Sequence, residues 1–271
     1  MDWSKTKSIF IVVFFILNLF LLTLMINKLN ANNLTNLPND TVEDLLSAES
    51  ITYTKQENEV IEAYLLSAQS KQFTQEEVRL LKGQTVEIKN GSILTSELEE
   101  PIPLNEKNTV DDFFDILERV GVLYYEKYDY VTIDNAEGVV TFYQTYKDMP
   151  IYRNKSIYAQ LLFYFNEDRE LYAYEQTLLE DIEEFNDKKE LLGYGQAVST
   201  VVNQRLLQPN SDVKIDLGYH TSVQLESNFH VLTPTYRLIV EHNGQEKDMV
   251  YYVNAYEGKI LDISTNDEVL E

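Results

Sequence analysis

Cysteine is absent from this chain of 271 residues. Its absence excludes disulfide bonds, thiol catalysis, thiolate metal sites and covalent haem attachment. Exported eukaryotic domains of this size usually carry disulfides, so the composition favours a bacterial protein whose stability rests on its hydrophobic core.

Basic residues are scarce, since 22 Lys and Arg stand against 45 Asp and Glu and give a net charge of −23. Such a chain repels phosphate backbones, which excludes nucleic acid as a partner. The acidity is otherwise typical of a well-solvated protein surface.

Signatures of a catalytic or metal site are also missing. The histidines His220, His230 and His242 match no metal-binding spacing, and neither a G-x-S-x-G motif nor a phosphate-binding Gly-rich loop occurs. The acidic residues at 180–184 lack the oxygen spacing of a calcium loop and are interpreted as part of a solvated linker or helix end. We therefore assign no catalytic, cofactor-binding or metal-binding residue, and we predict a protein that is not an enzyme and needs no cofactor.

One long apolar run dominates what is present. It spans Ile9–Ile26, 18 residues interrupted only by Asn18 and Thr23, and as a helix it covers roughly 27 Å, close to the hydrocarbon thickness of a bilayer. It is longer than the apolar region of a signal peptide, and no small-residue cleavage site follows it. The sequence therefore favours an uncleaved transmembrane helix over a cleaved signal peptide.

The lysines around this run predict its orientation. Lys5 and Lys7 precede the run and Lys28 follows it, and positive charge is retained in the cytoplasm. We therefore predict a single-pass protein of the cell membrane, with a short cytoplasmic N-terminus and the C-terminal bulk of the chain outside the cell.

Asn18 lies in the middle of the predicted span, where lipid offers its amide no hydrogen-bonding partner. A transmembrane Asn commonly bonds a neighbouring helix, although its own backbone or water at the lipid edge could also satisfy it. The helical face around Asn18 is our candidate contact with a partner helix, and it consists of Phe14, Asn18, Leu21, Leu22 and Met25.

Beyond the span, hydrophobic periodicity and turn residues predict helices that alternate with groups of strands. The predicted helices are 41–48, 74–82, 109–121 and 191–207. The predicted strands are 51–55, 60–66, 85–89, 125–133, 139–146, 157–165, 171–179, 213–217, 224–232, 234–241, 249–255 and 259–264. Residues 97–103 and 180–190 are interpreted as boundaries. The order of a helix followed by antiparallel strands occurs twice, which predicts an α+β fold.

Several segments resemble the YycI (WalI) family. The N-terminal MDWSKTKSIF is the most specific of them, and the segments 51–53, 73–77, 81–86 and 143–152 also resemble the family. Residues 251–261 are similar to the closing hairpin of PepSY-like domains, with Asn254 where many such hairpins carry Asp.

The resemblance implies a non-enzymatic regulatory protein of Gram-positive bacteria. Its family acts on the sensor histidine kinase WalK (YycG) together with the sister protein YycH (WalH), through transmembrane helices and extracellular domains. That kinase and its response regulator WalR (YycF) form a two-component system that controls cell-wall metabolism by signal transduction.

Combined with the element order, the resemblance predicts two similar extracellular units of antiparallel sheet packed with helices, as in YycH and PepSY-like proteins. The predicted divisions are 1–8 (cytoplasmic tip), 9–28 (transmembrane helix), 29–105 (linker and first extracellular α/β segment), 106–187 (α+β domain) and 188–271 (C-terminal PepSY-like α+β domain).

Two other functions stay open at this point. A PepSY-type module that binds or inhibits a secreted protease should work without its anchor, whereas a kinase regulator should depend on it. A membrane-anchored hydrolase would need a convergent catalytic set, and the sequence offers none.

Overall fold

The computed structural model describes residues 3–33, 39–53, 62–104, 110–134, 137–152, 159–221, 228–241 and 248–265. Within these residues the helices are α1 (Trp3–Asn33), α2 (Asn39–Ala48), α3 (Gln75–Val78), α4 (Val110–Val120) and α5 (Tyr194–Asn203), with a 3-10 turn at Tyr125–Lys127. The strands are β1 (Thr52–Tyr53), β2 (Glu62–Ser70), β3 (Gln84–Lys89), β4 (Ile93–Pro103), β5 (Tyr128–Asp134), β6 (Val139–Tyr146), β7 (Met149–Pro150), β8 (Gln160–Phe165), β9 (Glu170–Gln176), β10 (Leu179–Glu190), β11 (Asp212–Thr221), β12 (Phe229–Glu241), β13 (Met249–Asn254) and β14 (Ile260–Thr265).

The described strands form two sheets. Sheet I has the order β1-β11-β12-β13-β14, and β2 pairs both β12 and β10 beside this path. Sheet II has the order β3-β4-β9-β8-β6-β5, with β7 paired to β6. All of these pairings are antiparallel except that of β1 with β11.

Each sheet buries one face under a helix. On sheet II, the apolar side of α4 brings Phe113 and Leu117 onto the strands, and the ring of Phe142 meets Phe113 and Phe163 edge to face. On sheet I, α5 buries Ala197, Val198, Val201 and Val202 against β11–β13, and Leu46 of α2 joins the same core. The spacing of three and four residues along α4 gives that helix a single buried side, whereas α5 is buried at every position from Ala197 to Val202.

The two helix-covered sheets share an element order. In sheet II, α4 is followed by β5, β6, β8 and β9, which pair in that order, and in sheet I, α5 is followed by β11, β12, β13 and β14, which also pair in order. The predicted α+β fold is confirmed. Strands from residues 52–103 extend both sheets, β1 and β2 in sheet I and β3 and β4 in sheet II.

Two segments predicted as boundaries are strands, and these predictions were wrong. Residues 97–103 continue β4, where a bulge between Glu97 and Ile102 accommodates the first of two prolines before pairing with β9 resumes. Residues 180–190 form most of β10, a charged strand whose described partner is β2. Its acidic side chains after Glu180 are exposed along this pairing, as is usual for a strand at a sheet edge.

A single strand, β12, replaces the two strands predicted at 224–232 and 234–241. The earlier part of β12 pairs β2 as far as Leu232, and the later part pairs β13 from Thr235 onward. The carbonyl of Pro234 accepts a bond from the N–H of Ala255, so it points to the side of β12 on which β2 and β13 lie. In a strand the N–H and C=O of one residue point to the same side. The missing N–H of Pro234 therefore falls where the partner changes, so the strand continues through the proline.

Local signals at turns and helix ends are confirmed. Thr74 and Glu77 form a capping box at the start of α3, and Gly121, with φ +76°, ends α4 by bonding the carbonyls of its last turn. At the closing hairpin, the Oδ1 of Asn254 accepts bonds from the N–H groups of Tyr256 and Glu257. An Asp at this position would offer the same acceptor, which explains why Asn serves in its place.

Candidate functional site

The first candidate surface is the outside of α1. Ile9–Ile26 is the one helical segment among the described residues that is long and apolar enough to cross a membrane, and none of it is buried against the rest of the chain. The helix continues beyond this segment at both ends, from Trp3 to Asn33. An apolar helix without a covering partner in its own chain is typical of a segment that meets lipid or other helices.

The structure adds one contact to the prediction for Asn18. Its Nδ2 donates to the carbonyl oxygen of Phe14, one turn earlier, at 2.9 Å. Thr23, the other polar residue of the span, donates likewise to Leu19 at 2.8 Å. A carboxamide has two N–H groups and an oxygen with two lone pairs, so the bond to Phe14 leaves most of its capacity for a neighbouring helix.

The predicted contact residues lie on one side of α1. At 100° per residue they fall within an arc of about 100°, and all of them are exposed. They are Phe14, Asn18, Leu21, Leu22 and Met25. Thr23 lies close to the opposite side of the helix. The contact of this face with a partner stays a prediction.

The second candidate surface is the contact between the two sheets. A tight turn at Lys147 and Asp148, both with positive φ, returns the chain from β6 into residues 149–152, which we call the docking segment. Its Ile151 forms a parallel bridge with Tyr219 of β11, and the N–H of Tyr152 donates to the carbonyl of Tyr219 at 2.8 Å. The docking segment therefore carries sheet II onto sheet I.

Gly218 makes this close approach possible. A Cβ at this position would lie 2.4 Å from the carbonyl oxygen of Pro150 and 2.6 Å from the ring of Tyr152, both far below a normal contact distance. A glycine inside a strand is a signal of such an approach of another backbone. This signal was available from the sequence, but the identity of the approaching segment was not.

A series of aromatic rings connects the sheets at the docking segment. Tyr143 of sheet II meets Tyr152 edge to face at 6.4 Å, and Tyr152 meets Tyr252 of sheet I at 5.5 Å between ring centroids. The guanidinium of Arg237 lies 4.9 Å from the centroid of the Tyr152 ring and pairs with Asp216 at 2.7 Å. Each contact stabilises the position of Tyr152 over sheet I.

Gln144 joins the sheets by a second route. Its side chain is only 2% exposed, its Nε2 donates to the carbonyl of Leu179 at 2.8 Å, and its Oε1 accepts from the N–H of Leu179 at 2.8 Å. The carboxamide thus makes the two hydrogen bonds to the backbone of Leu179 that a residue of a neighbouring strand would make. Because Gln144 belongs to β6 and Leu179 begins β10, these two bonds tie sheet II to sheet I.

A charged cluster lies where the chain passes from β2 into α3. Glu77 accepts a hydrogen bond from the hydroxyl of Tyr124 and pairs with Lys71 at 3.0 Å, and the ammonium of Lys71 lies 4.9 Å from the centroid of the Tyr124 ring. Partial burial alone would raise the pKa of the Glu77 carboxyl, but hydrogen bonds from Tyr124, Lys71 and Thr74 outweigh it and lower this pKa to about 2.

This lowered pKa predicts an acid-sensitive contribution to stability. The Glu77 carboxylate stabilises the fold above its ordinary pKa of 4.5, and the contribution is lost as pH falls through the folded value of about 2. Glu77→Gln should lower the free energy of unfolding at pH 7 by about 1–3 kcal/mol and should flatten its decline between these pH values. Urea unfolding at several pH values measures both effects. Glu76→Gln, an exposed neighbour in the same turn, is the matched control and should change neither.

The two described histidines have different surroundings. His220 is buried and its ring stacks on Tyr252 at 4.9 Å, whereas His230 is hydrogen-bonded through Nε2 to the hydroxyl of Ser70 at 2.7 Å. His242 lies outside the described residues. Within the described part of the chain, no group of three or more His, Asp and Glu side chains is arranged to hold a metal ion.

The fold and α1 together define the class of protein: an α+β protein whose described residues include one candidate membrane-spanning helix near the N-terminus, ahead of two helix-covered, mostly antiparallel sheets. A family model described as YycI protein matches residues 29–256. The chain belongs to the YycI family, as its resemblance indicated, and this membership supports a regulator of the WalK (YycG) two-component system. YycI is a regulatory family that is not known as enzymatic.

The comparison with solved structures returned matches at low sequence identity. An uncharacterized protein from Eubacterium rectale is 12% identical, with a TM-score of 0.50 over 79% of this chain and 91% of its own. The C-terminal domain of YpeB from Bacillus megaterium is also 12% identical, with a TM-score of 0.37 over 84% of this chain and 97% of its own. The comparison with curated proteins returned no match.

Proposed function

We propose that this protein is a non-enzymatic, single-pass membrane regulator of the sensor histidine kinase WalK (YycG), acting together with YycH (WalH). In this proposal α1 crosses the membrane with its N-terminus in the cytoplasm, and the two sheets lie outside the cell. The face of α1 around Asn18 contacts a transmembrane helix of these partners. Membership of the YycI family and the uncovered apolar helix support the proposal together.

The observation that carries the helix contact is the position of Asn18. A helix that only tethers a domain needs no polar side chain at its centre, where a buried amide is costly unless it is bonded. The bond to Phe14 limits this cost, and the exposed Asn18 lies among apolar residues on its side of the helix. This arrangement fits a small polar contact inside an otherwise apolar interface between helices.

Replacing Asn18 with Leu should weaken the association without harming insertion, because the change removes the amide and makes the span more apolar. A hydrogen bond between transmembrane helices contributes about 0.6–2 kcal/mol, so we expect a loss of roughly tenfold or less in association with the kinase and YycH. Co-purification of the full-length protein from detergent, with quantified partners, measures the loss. Protein levels should stay unchanged, and the output of the cell-wall regulon should be altered.

Thr23→Val is the matched control for this experiment. It also removes a polar group that bonds its own helix, but on the side of α1 opposite to Asn18, so association should be retained. If Asn18→Leu, or exchange of the whole span for an unrelated apolar helix, leaves both association and regulon output intact, the helix contact is refuted. The partner surface would then lie in the extracellular sheets.

A further inference from the structure

His220 occupies an unusual place beneath the contact between the sheets. It lies on β11 two residues beyond Gly218, so both residues point to the face of sheet I on which Tyr152 rests. Its side chain is 2% exposed, and its ring stacks on the ring of Tyr252, which in turn contacts Tyr152. The imidazole therefore belongs to the same aromatic series that fixes the docking segment.

The surroundings of the His220 imidazole stabilise its neutral form and not its protonated form. Neither ring nitrogen has a partner at hydrogen-bonding geometry among the described residues. A buried imidazolium would carry two N–H donors and a full charge without the bonds that such a group requires. Protonation would therefore favour any arrangement that gives the ring access to water.

The charged and titratable groups around His220 come from both sheets. Within sheet I, the strand register places four of them in one row across β11, β12, β13 and β14, namely Asp216, Arg237, Tyr252 and Asp262. From the side of sheet II, Tyr152 and Tyr143 close the group. Arg237 is cationic but is paired with Asp216, which leaves the carboxylate of Asp262 as the group that would favour an imidazolium.

The balance of these groups favours the neutral ring. Burial is the main cause that lowers the pKa of His220, and Asp262 and the backbone of Thr221 offset it only in part, so that the value falls from 6.5 to about 4. His230, which is also buried in sheet I, differs because a serine hydroxyl already bonds its ring. Of the two described histidines, His220 is thus the one whose protonation opposes the contact between the sheets.

We propose that protonation of His220 releases the docking segment from β11, so that the contact between the two sheets is a pH-sensitive switch. In the docked state Tyr152 covers the face that holds the neutral ring. In the released state the ring is hydrated and protonated, and the bridge between Ile151 and Tyr219 is broken. The switch does not depend on the proposed contact of α1 with a kinase.

The pKa values give the expected size of the effect. With a value of about 4 when docked and an ordinary value of about 6.5 when released, the ratio of released to docked molecules should rise about twentyfold from pH 7 to pH 5. The rise should stop near pH 4, where the docked form also becomes protonated. Lowering the pH favours the released state because His220 has the higher pKa there, so that state binds a proton at a pH where the docked state does not.

Hydrogen exchange of the full-length protein at residue resolution, corrected for intrinsic exchange rates, tests the proposal. The N–H of Tyr152, which bonds Tyr219, reports release, whereas the N–H of Ile151 bonds Gln144 within its own hairpin and is the internal reference. Protection at Tyr152 should fall about twentyfold between pH 7 and pH 5. Protection at Ile151 and between β12 and β13 should stay constant.

Two variants complete the test. His220→Phe keeps a ring on Tyr252 but cannot titrate, so the pH dependence at Tyr152 should disappear, whereas His230→Gln should retain it. The proposal is overturned if the wild-type protein shows no selective loss at Tyr152, if all amides lose protection together, or if His220→Phe behaves as the wild type. Should His220→Phe fail to fold, the selectivity in the wild-type protein decides alone.

Discussion

Protease added to protoplasts that carry the full-length chain should digest nearly everything beyond α1. This result follows from the orientation that the lysines predict, because Lys5 and Lys7 before the span favour retention of the N-terminus in the cytoplasm. Both sheets would then face the external solution. An epitope at the C-terminus should disappear on protease treatment, and one at the N-terminus should survive.

The control for this topology is lysis of the protoplasts before protease is added, which should expose both epitopes. A C-terminal epitope that resists protease in intact protoplasts but not after lysis would place the sheets in the cytoplasm. That outcome would contradict the orientation and, with it, the proposal that the sheets act outside the cell.

Gln144→Leu should destabilise the protein strongly. The change keeps the size of the side chain but removes both of its bonds, leaving the N–H and C=O of Leu179 buried between the sheets without partners. Each unsatisfied group costs about 1–3 kcal/mol, so we expect the free energy of unfolding to fall by about 2–5 kcal/mol. Urea unfolding of the full-length protein in detergent measures the change as a lower midpoint.

Gln196→Leu is the matched control for Gln144→Leu. Gln196 also uses its carboxamide oxygen to bond a backbone N–H, that of Gly193 at the start of α5, but water can replace this bond at a helix end. We expect a loss below about 1 kcal/mol. Equal effects of the two changes would show that Gln144 does not join the sheets in the way that its two bonds indicate.

The parts of the fold that the sequence predicted well depend on neighbours in the chain. Thr74 and Glu77 are three residues apart, and their capping box was recognised from that spacing. The bounds predicted for β6 match the structure, because β-branched and aromatic residues dominate the segment and a turn follows it. The buried side of α5 was also predicted, although the helix is shorter than its pattern suggested.

The parts that were missed depend on partners far away in the sequence. The charges of β10 resemble those of a linker, and only its pairing with β2, more than a hundred residues earlier, makes it a strand. In β4, two prolines suggested a break, yet the bulge and the register with β9 carry the strand past them. Propensity is a weak guide where tertiary pairing decides the structure.

The candidate sites divide in the same way. Asn18 could be selected from the sequence because a polar residue within an apolar run needs no tertiary information to be noticed. Tyr152 and His220 could not be selected, since their roles arise only when the docking segment meets β11. Gly218 was the single local sign of that contact, and many strand glycines have other causes.

The positions of β1, α2 and β2 have a consequence for the order in which the chain folds during its synthesis. The segments that follow α1 in the chain find their partners more than a hundred residues later: β1 pairs β11, α2 packs on α5, and β2 pairs both β10 and β12. A chain that emerges from its N-terminus onward must therefore leave these first segments without these partners until β10, α5, β11 and β12 have been made. Such distant pairings are slow to form, so the part of the domain that is made first waits longest for its partners.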